Sequence, residues 1–421
     1  MKARFRVLLC GCMVPFLSGA GAQALPPAVP VCPPRQVQAA SGALPSVAQR
    51  IEILAQVTRT LQEQYVDPAA VDQRWLTSIE PLRQAALAAA DDRQFEQAMT
   101  ALLATLHDRH TAWFSPAATQ LLRDVTAGTL RDPLGMWFLA LPGHLPSVDW
   151  VEPHSPAEQA GVRQGDVLLS INGQVCPRSA ALDGPAGTRV TLGLQGPHGP
   201  ARQVTVTRGQ LTDTVPWQVT RLKGHPWVYL RLDSFLEEGI ATEVRRQLDA
   251  VVRAGGVQGV IVDLRANTGG WLGEGQVLMG AWTDQTFMTE VGRTGDRLDV
   301  PGFPYAYEGA LGVLPEQMKV AVLVGPNTAS MAEMTAAALR VVRHAAVLGQ
   351  PTADVQGTTA QQALPNGAVF QWSRKRVMLP DHRLLGRGPI QPDVLLPLAP
   401  MQPPEDDPAV AAALRVLSAS R

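Results

Sequence analysis

The sequence predicts a layered α/β protein in which a small helical unit and a mostly β module precede the α/β core. Apolar residues recur at helical spacing near the start, short β-like runs with turns fill the middle, and strands alternate with helices after that. Alternating strands and helices imply right-handed crossovers and a layered core. The 421 residues, 46% of them hydrophobic, can form two or three domains with cores of their own.

The N-terminus has basic residues, an apolar run and then small residues, which is the order of a secretory signal peptide. We predict a signal peptide over residues 1–24, cleaved after Ala22 or Ala24, and a Pro-rich linker over residues 25–45. An uncleaved anchor is the rival interpretation, but the run is short for a membrane span and Pro15 interrupts it. We therefore expect an exported protein, periplasmic or in the cell envelope, with no stable membrane span after cleavage.

The helical unit is predicted over residues 46–128 and the mostly β module over residues 129–210. Apolar residues at helical spacing mark the first helix (Ile51, Leu54, Val57 and Leu61). The β-like runs of the module are Trp137 to Leu141, Val148 to Val151, Asp166 to Ile171, Arg189 to Leu194 and Gln203 to Thr207.

The α/β core is predicted over residues 211–400, followed by a tail over residues 401–421 in which we expect a short closing helix. Its elements are the strands WVYLRL, GVIVDLR, VAVLV and AAVLG, with one helix after the first strand and another starting near Ser330.

Charge and cysteine usage exclude several classes of function. Thirty-six basic and 37 acidic residues give a formal charge of −1, so no nucleic-acid footprint is visible. Cys32 and Cys176 remain after signal cleavage, and the sequence leaves open whether they pair. His107 and His110 alone form a weak metal signal, and with no CxxC or HExxH we expect neither a metal nor another cofactor.

Two stretches of the core have the features of a catalytic site. In LVGPNTASMAEM, Ser330 followed by Glu333 fits a capping box, so Ser330 is either a helix cap or a nucleophile at the positive end of the helix. In DLRANTGG, Gly269 and Gly270 follow a buried strand and can turn their amides towards a ligand, although an ordinary glycine turn is the alternative.

The core resembles the carboxyl-terminal processing proteases, the S41 serine peptidases. The similar stretches are VYLRLDSF, GVIVDLRANTGG, VAVLVGPNTASMAE and AVLGQPT in the core, VEPHSPAEQAGVRQGDVLLSINGQ in the β module, and QYVDP and LHDRHTAWF in the helical unit. The resemblance covers roughly residues 46 to 395 in matching order. It implies a crotonase-like (ClpP/crotonase-type) core, a PDZ-like domain and an N-terminal helical segment.

The resemblance also implies roles for individual residues. Ser330 would be the nucleophile, and the amides of Met331 and of the Gly269-Gly270 turn would hold the oxyanion. The PDZ-like domain would capture a peptide by its C-terminus, using the loop and strand formed by Leu134, Gly135, Met136 and Trp137. Packing of this strand in the domain core is the alternative.

The base is unusual for such a protease. The best-known members use a lysine about two dozen residues after the serine, but no lysine lies between Val320 and Arg374, and Gln356 stands nearest to its place. Another branch uses a histidine in an N-terminal Leu-Gly-Asp-x-His-Thr motif, which resembles Leu106 to Thr111 here. His110 is therefore the candidate base.

The third member of a triad is missing from its expected place. That branch has a glutamate just before a Gly-x-Gly turn, where this chain has Leu385. Asp381 and Asp108 are conceivable substitutes, but their spacing supports neither. Serine, base and oxyanion hole still act without the acid.

The leading hypothesis is an exported serine endopeptidase that cleaves protein or peptide substrates through an acyl-enzyme at Ser330, and we expect cleavage near free C-termini. The alternative is an inactive S41-like protein that binds peptides with its PDZ domain. An α/β-hydrolase esterase is disfavoured because no GxSxG surrounds Ser330.

Overall fold

A computed structural model describes residues 43–116, 118–120, 123, 134–139, 145–151, 155–175, 182, 186–196, 199–209, 216–386, 388–399 and 401–419. The predicted signal peptide, most of the predicted linker, and both Cys32 and Cys176 lie outside these residues. No helix of the described segments is long and apolar enough to cross a membrane.

Nine α-helices are described in this part of the chain. They are α1 (Val47–Gln64), α2 (Gln73–Ser78), α3 (Glu80–Leu87), α4 (Asp92–Ala104), α5 (Pro156–Gln159), α6 (Ile240–Arg253), α7 (Leu272–Met279), α8 (Met331–Val342) and α9 (Pro408–Ala419). A 3-10 helix, Pro68–Val71, lies between α1 and α2.

Seventeen strands are described and form three sheets. They are β1 (Ala112–Phe114), β2 (Met136–Leu139), β3 (Ser147–Val151), β4 (Val167–Ile171), β5 (Gln174–Val175), β6 (Arg189–Gln195), β7 (Ala201–Thr207), β8 (Trp217–Arg221), β9 (Trp227–Leu232), β10 (Gly259–Asp263), β11 (Thr286–Gly292), β12 (Arg297–Pro301), β13 (Lys319–Val324), β14 (Ala346–Gly349), β15 (Thr358–Ala363), β16 (Val369–Met378) and β17 (Val394–Leu395).

The helical unit begins with a capped helix. The Ser46 hydroxyl accepts a hydrogen bond from the Gln49 amide, and the Gln49 side chain accepts one from the Ser46 amide. Helices α1, α3 and α4 bury their apolar faces against β16 of the core, where Phe370 and Trp372 join the same cluster. The helical unit therefore shares a core with the α/β region.

The β module is an antiparallel sheet in the order β2-β3-β4-β6-β7, with β5 paired to β4. Its core contains the inward residues of these strands, among them Val148, Leu168, Leu192 and Val206. The alternation of buried and exposed residues along β7 is the pattern of a sheet with one face in solvent.

The central sheet has the order β17-β14-β13-β10-β9-β8, parallel throughout except for the β8-β9 pair. Alternate residues of β9 lie in different cores: Val228 and Leu230 pack with α6 and α8, whereas Trp227 and Tyr229 pack with α9. Both faces are covered, which is why every residue of β9 and β10 is buried.

The third sheet, in the order β1-β16-β11-β12 with β15 paired to β16, was not predicted from the sequence. Strand β1 belongs to the helical unit, and its partner β16 lies more than 250 residues later. Pairings this distant leave no local pattern, so only the folded chain reveals them.

Candidate active site

The candidate site lies at the carboxyl ends of two adjacent parallel strands. Strand β10 leads into the Gly269-Gly270 turn, and β13 leads into the segment that ends at Ser330. Open parallel sheets commonly bind ligands at this edge, because the loops after neighbouring strands converge there.

The backbone of Ser330 is held in a sparsely populated conformation, with φ 54° and ψ −121°. A non-glycine residue at positive φ is rare and is maintained only when its surroundings enforce it. Thr328 supplies part of that enforcement: its hydroxyl donates to the Leu264 carbonyl at 2.8 Å and accepts from the Gly325 amide at 2.9 Å. The Ala329 amide donates to the Asn267 carbonyl at 3.0 Å.

The two glycines of the turn are sterically required. A Cβ on Gly269 would lie 2.6 Å from Cβ of Ser330, and one on Gly270 would lie 2.2 Å from the Phe235 carbonyl carbon. Both also have positive φ, 94° and 143°. The turn can therefore approach the serine closely only because it has no side chains there.

The amides of the predicted oxyanion residues are not equivalent. The Gly269 amide donates to Oδ1 of Asn267 at 2.8 Å. By contrast, the amides of Gly270 and Met331 have no acceptor within the described residues. Of the three residues predicted to hold an oxyanion, the geometry leaves these two available.

Asn267 is a site residue that the sequence reasoning did not single out. It is fully buried, and its Nδ2 donates to the Leu232 carbonyl at 3.0 Å. Its side chain thus ties the turn to β9, while its carbonyl holds Ala329 next to the serine. An asparagine two residues before a glycine is a known turn signal, which could have identified it.

His110 reaches Ser330 from the other end of the chain. Its Nε2 lies 3.1 Å from Oγ of Ser330. The main-chain carbonyl of His110 accepts a 2.8 Å hydrogen bond from Gln371, and the neighbouring β1 pairs with β16. Asp108 holds the backbone around His110 in place. Its carboxylate accepts hydrogen bonds from the His110 amide and from the hydroxyls of Thr111 and Tyr65.

The imidazole of His110 is buried, which favours its neutral form. Burial lowers the pKa of His110 below its ordinary value, while the Asp108 carboxylate and the main-chain carbonyl of Gln356 raise that pKa. Nδ1 is buried and has no hydrogen-bond partner within the described residues, so the Gln356 carbonyl is near the ring without completing a bond to Nδ1. A neutral ring whose Nε2 faces a hydroxyl can accept its proton.

Neither candidate for the third triad member contacts the imidazole. The Asp108 carboxylate is occupied by the donors named above, and Asp381 lies in an exposed turn where it pairs with Arg383 at 3.5 Å. Leu385, at the place of the expected acid, helps to line a cavity of about 250 Å³ together with Asp108 and Gln356.

Glu333 has a larger role than a cap. Its carboxylate accepts from the Ser330 amide at 3.1 Å, which is half of the predicted capping box. Four further donors converge on it from the segment 352–356: the Thr352 hydroxyl, the amides of Asp354 and Val355, and the side chain of Gln356. Burial raises the pKa of Glu333, although these hydrogen bonds act to lower it.

Gln356 stands nearest to the place of the usual lysine, and its side chain makes structural hydrogen bonds. Its Nε2 donates to Glu333 at 3.1 Å and to the Gly388 carbonyl at 2.9 Å, and its Oε1 accepts from the Gly386 amide at 2.8 Å. The side chain therefore joins the serine helix to the 386–388 turn. An amide cannot act as a base near neutral pH.

The predicted peptide-binding residues lie at the edge of the β module. Leu134 and Met136 are buried in its core, Gly135 has φ 70°, and the backbone of Trp137 pairs with Trp150 in β3. Pro133, from the same loop, lies outside the described residues. Among described contacts, Nδ2 of Asn327 donates to the main-chain carbonyl of Phe138 at 3.4 Å, which joins this strand to the serine segment.

No group of three His, Cys, Asp or Glu side chains within the described segments could hold a metal ion. His107 is not near enough to other potential ligands to form such a group with His110.

The chain is similar to several known proteins. Residues 227–396 match the model of peptidase family S41, and residues 147–196 match a PDZ domain model. The carboxyl-terminal-processing protease of a Picosynechococcus species is 28% identical over 386 residues, covering 87% of this chain and 89% of the relative. The chloroplastic carboxyl-terminal-processing peptidase 2 of Arabidopsis thaliana is 26% identical over 357 residues, with coverages of 80% and 67%.

The solved structure of the photosystem II D1 C-terminal processing protease has a similar fold. It aligns with a TM-score of 0.58 at 24% identity, over 88% of this chain and 97% of that one. The S41 match covers both the turn after β10 and the serine segment, and the PDZ match lies in the β module. The chain therefore has an S41-type peptidase region at residues 227–396, preceded by a PDZ-type region at residues 147–196.

Proposed function

We propose that this S41 peptidase is an endopeptidase in which Ser330 is the nucleophile and His110 the general base. The observation on which this rests is the 3.1 Å separation of Nε2 of His110 from Oγ of Ser330, across 220 residues of chain. The amides of Met331 and Gly270 have no acceptor within the described residues, and a Cβ on Gly269 would lie 2.6 Å from Cβ of Ser330.

The chemistry follows from these positions. Oγ of Ser330 attacks the scissile carbonyl carbon while its proton passes to Nε2 of His110, and the carbonyl oxygen gains the displaced electron pair. The amides of Met331 and Gly270 donate to that oxyanion, supported by the positive end of α8. The intermediate expels the amine, which takes the proton from His110, and an acyl-enzyme remains. Water then attacks with His110 as base, restoring the serine and releasing the new carboxylate.

The absence of an acid at Nδ1 limits the expected rate. In a triad, the acid orients the imidazole and stabilises its protonated form. Here the His110 ring is oriented by the Asp108 turn and by burial, but no carboxylate of the described residues hydrogen-bonds Nδ1. We therefore expect slower cleavage than by a complete triad.

We further propose the finer features that the sequence predicts. The core is crotonase-like, the PDZ domain presents substrates by their C-termini, and the segment 1–24 directs export to the periplasm or cell envelope. The basic start and apolar run support export, and the order of the core strands and helices supports a crotonase-like core.

The test is cleavage of casein by the chain without residues 1–24, next to Ser330→Ala and His110→Ala variants prepared identically. Loss of cleavage in both variants, with unchanged thermal unfolding, is the expected result. Loss in Ser330→Ala alone would eliminate His110 as base. No cleavage by the parent chain, with peptide binding retained, would favour a binding protein in which Ser330 is only a helix cap.

A further inference from the structure

A strip of exposed apolar residues starts at the oxyanion turn and follows helix α7. Trp271 comes directly after Gly270 and is 46% exposed. At the far end of α7, the Phe303 amide donates to the Gln276 carbonyl at 2.9 Å, and Phe303 is 44% exposed. We call the exposed set the α7 strip; its members are Trp271, Gly273, Phe303, Tyr305, Leu311 and Val313.

The loop that supplies the far end of the strip is rigidly held. Arg245, fully buried in α6, donates to the carbonyls of Pro304 and Gly312 in this loop. Asp249, one turn later and also buried, accepts from the Tyr307 hydroxyl at 2.5 Å and from the Leu311 amide at 2.9 Å.

Because these hydrogen bonds hold the loop in place, its apolar side chains stay exposed. Burying an arginine and an aspartate is costly unless their hydrogen bonds are satisfied. These two side chains make most of their hydrogen bonds to one irregular loop, and Tyr305 in that loop is 78% exposed. Large apolar side chains held exposed on one loop in this way commonly mark a binding site.

Gly273 lies between the two ends of the strip and has no structural reason to be glycine. A Cβ there would meet no atom within 4 Å, and its φ is not positive, whereas a Cβ on Gly275 would lie 2.5 Å from Sδ of Met331. Glycine weakens a helix relative to alanine, so an unconstrained helical glycine is unexpected. Residues 273, 276 and 280 share one helix face, so Gly273 leaves the surface open between Trp271 and Phe303.

We propose that the α7 strip is an exosite for apolar side chains of the extended polypeptide that is being cleaved at Ser330. This inference rests on the proposed function. Trp271 directly follows Gly270 in the enzyme. A substrate whose scissile carbonyl lies at the Gly270 amide therefore passes beside Trp271. Helix α7 spans about 12 Å, so Phe303 and Tyr305 would contact a residue about four positions from the scissile bond.

Two substrates distinguish this role from a structural one. Cleavage sites in casein are first located by mass spectrometry, and a peptide of about twelve residues is made around one site, with a short version that ends before the strip. The variants are Gly273→Gln, which covers the floor of the strip with a helix-forming side chain, and Tyr305→Ser. The controls are Gly273→Ala and Val175→Ser, the latter an exposed position in the PDZ domain.

Gly273→Gln and Tyr305→Ser are expected to raise KM for the long peptide by about tenfold, with kcat nearly unchanged, because an apolar contact is lost. KM for the short peptide should stay the same in all variants, and the controls should match the parent chain. Equal KM values for the long peptide in parent and variants, or equal losses for both peptides, would overturn the proposal.

Binding separates this proposal from the proposed function. Fluorescence anisotropy with the Ser330→Ala chain measures binding of the long peptide, and adding Gly273→Gln should weaken that binding by about tenfold even if no chain cleaves. If no chain cleaves casein, overlapping casein peptides replace the long peptide in this assay; the same loss of binding would then contradict the proposed function but keep the α7 strip as a surface for extended polypeptide. If Tyr305→Ser instead converts a dimer to a monomer in sedimentation without changing peptide binding, the strip is a subunit interface and the proposal is wrong.

Discussion

At the residue scale, the site depends on side chains and backbone positions whose geometry leaves little tolerance. Ser330 keeps an unfavourable backbone conformation, and the glycine turn lies against it with no room for a Cβ. Nε2 of His110 lies 3.1 Å from the Ser330 hydroxyl, in a buried position that favours the neutral ring. These features can be tested one residue at a time.

The pH dependence of cleavage should reflect the burial of His110. Since burial lowers its pKa, the neutral base persists to lower pH, and the acid limb of kcat/KM should fall below the ordinary histidine value of 6.5. The same pKa shift makes the folding stability depend on pH. As pH falls, the unfolded chain takes up this proton before the folded chain does, so stability is lost below pH 6.5. The profile is measured on casein after subtracting the Ser330→Ala background, and an acid limb at or above 6.5 would contradict the prediction.

Gly269→Ala should abolish most activity while leaving the fold intact. The new Cβ would displace Ser330 or the Met331 amide, and loss of one oxyanion donor costs about 100-fold in kcat. Gly295→Ala is the matched control, because its φ of 83° is close to the 94° of Gly269 but no atom lies within 4 Å of its Cβ.

Both alanines add backbone strain of about 1 kcal/mol, so their thermal unfolding should be similar. Only Gly269→Ala should lose activity. Equal kcat values in the two variants would show that the close approach of the turn is not needed.

At the scale of elements, one helix and one loop segment are joined by a single carboxylate. Glu333 on α8 accepts five hydrogen bonds, one from Ser330 and four from the segment 352–356. Gln356 extends the connection to the 386–388 turn. These hydrogen bonds join the serine helix, the loop near the imidazole and that turn into one unit.

Glu333→Gln should loosen this unit. A carboxamide replaces one acceptor oxygen with a donor, so at least one buried donor loses its partner, which costs about 1–3 kcal/mol. We expect a lower unfolding temperature and about tenfold lower kcat/KM, because Ser330 is held less firmly. Glu243→Gln in the first turn of α6 is the control, since that carboxylate accepts only a hydrogen bond from Gln247 among those described. Equal effects of the two changes would show that Glu333 is an ordinary cap.

At the scale of the whole molecule, three regions of the chain converge on one site. The helical unit supplies His110 through the β1-β16 pairing, the core supplies Ser330, and the β module contacts the serine segment through Phe138 and Asn327. Arg231 of the core lies 5.2 Å above the ring of Trp150 in the module. A peptide bound at the edge strand β2 would lie beside the serine segment.

The PDZ domain should therefore act on KM. A substrate with a free C-terminal carboxylate is expected to have about tenfold lower KM than its amidated copy, with similar kcat, because tethering raises its local concentration. Gly135→Val should remove the difference, since a β-branched residue disfavours the φ of 70° in that loop. Equal KM values for the two substrates in the parent chain would mean that the domain does not capture C-termini.

The sequence by itself determined the local parts of this protein. Apolar periodicity predicted β9, α6, β10, β13 and α8 closely, because each element has its own alternation or helical spacing. The motif around Ser330 and the glycine pair also predicted which segments would converge. The five-stranded sheet of β1, β16, β11, β12 and β15 was missed, since its two hairpins, β11-β12 and β15-β16, join each other and β1 only across long separations.

Only the tertiary structure decided which groups meet. The contact of His110 with Ser330 depends on a strand pairing across more than 250 residues, and the use of the Gly269 amide by Asn267 depends on a side-chain rotamer. The convergence of five donors on Glu333 is likewise a property of packed loops. Such contacts arise from long-range packing and leave no period in the sequence, whereas helices and strands arise from neighbours along the chain.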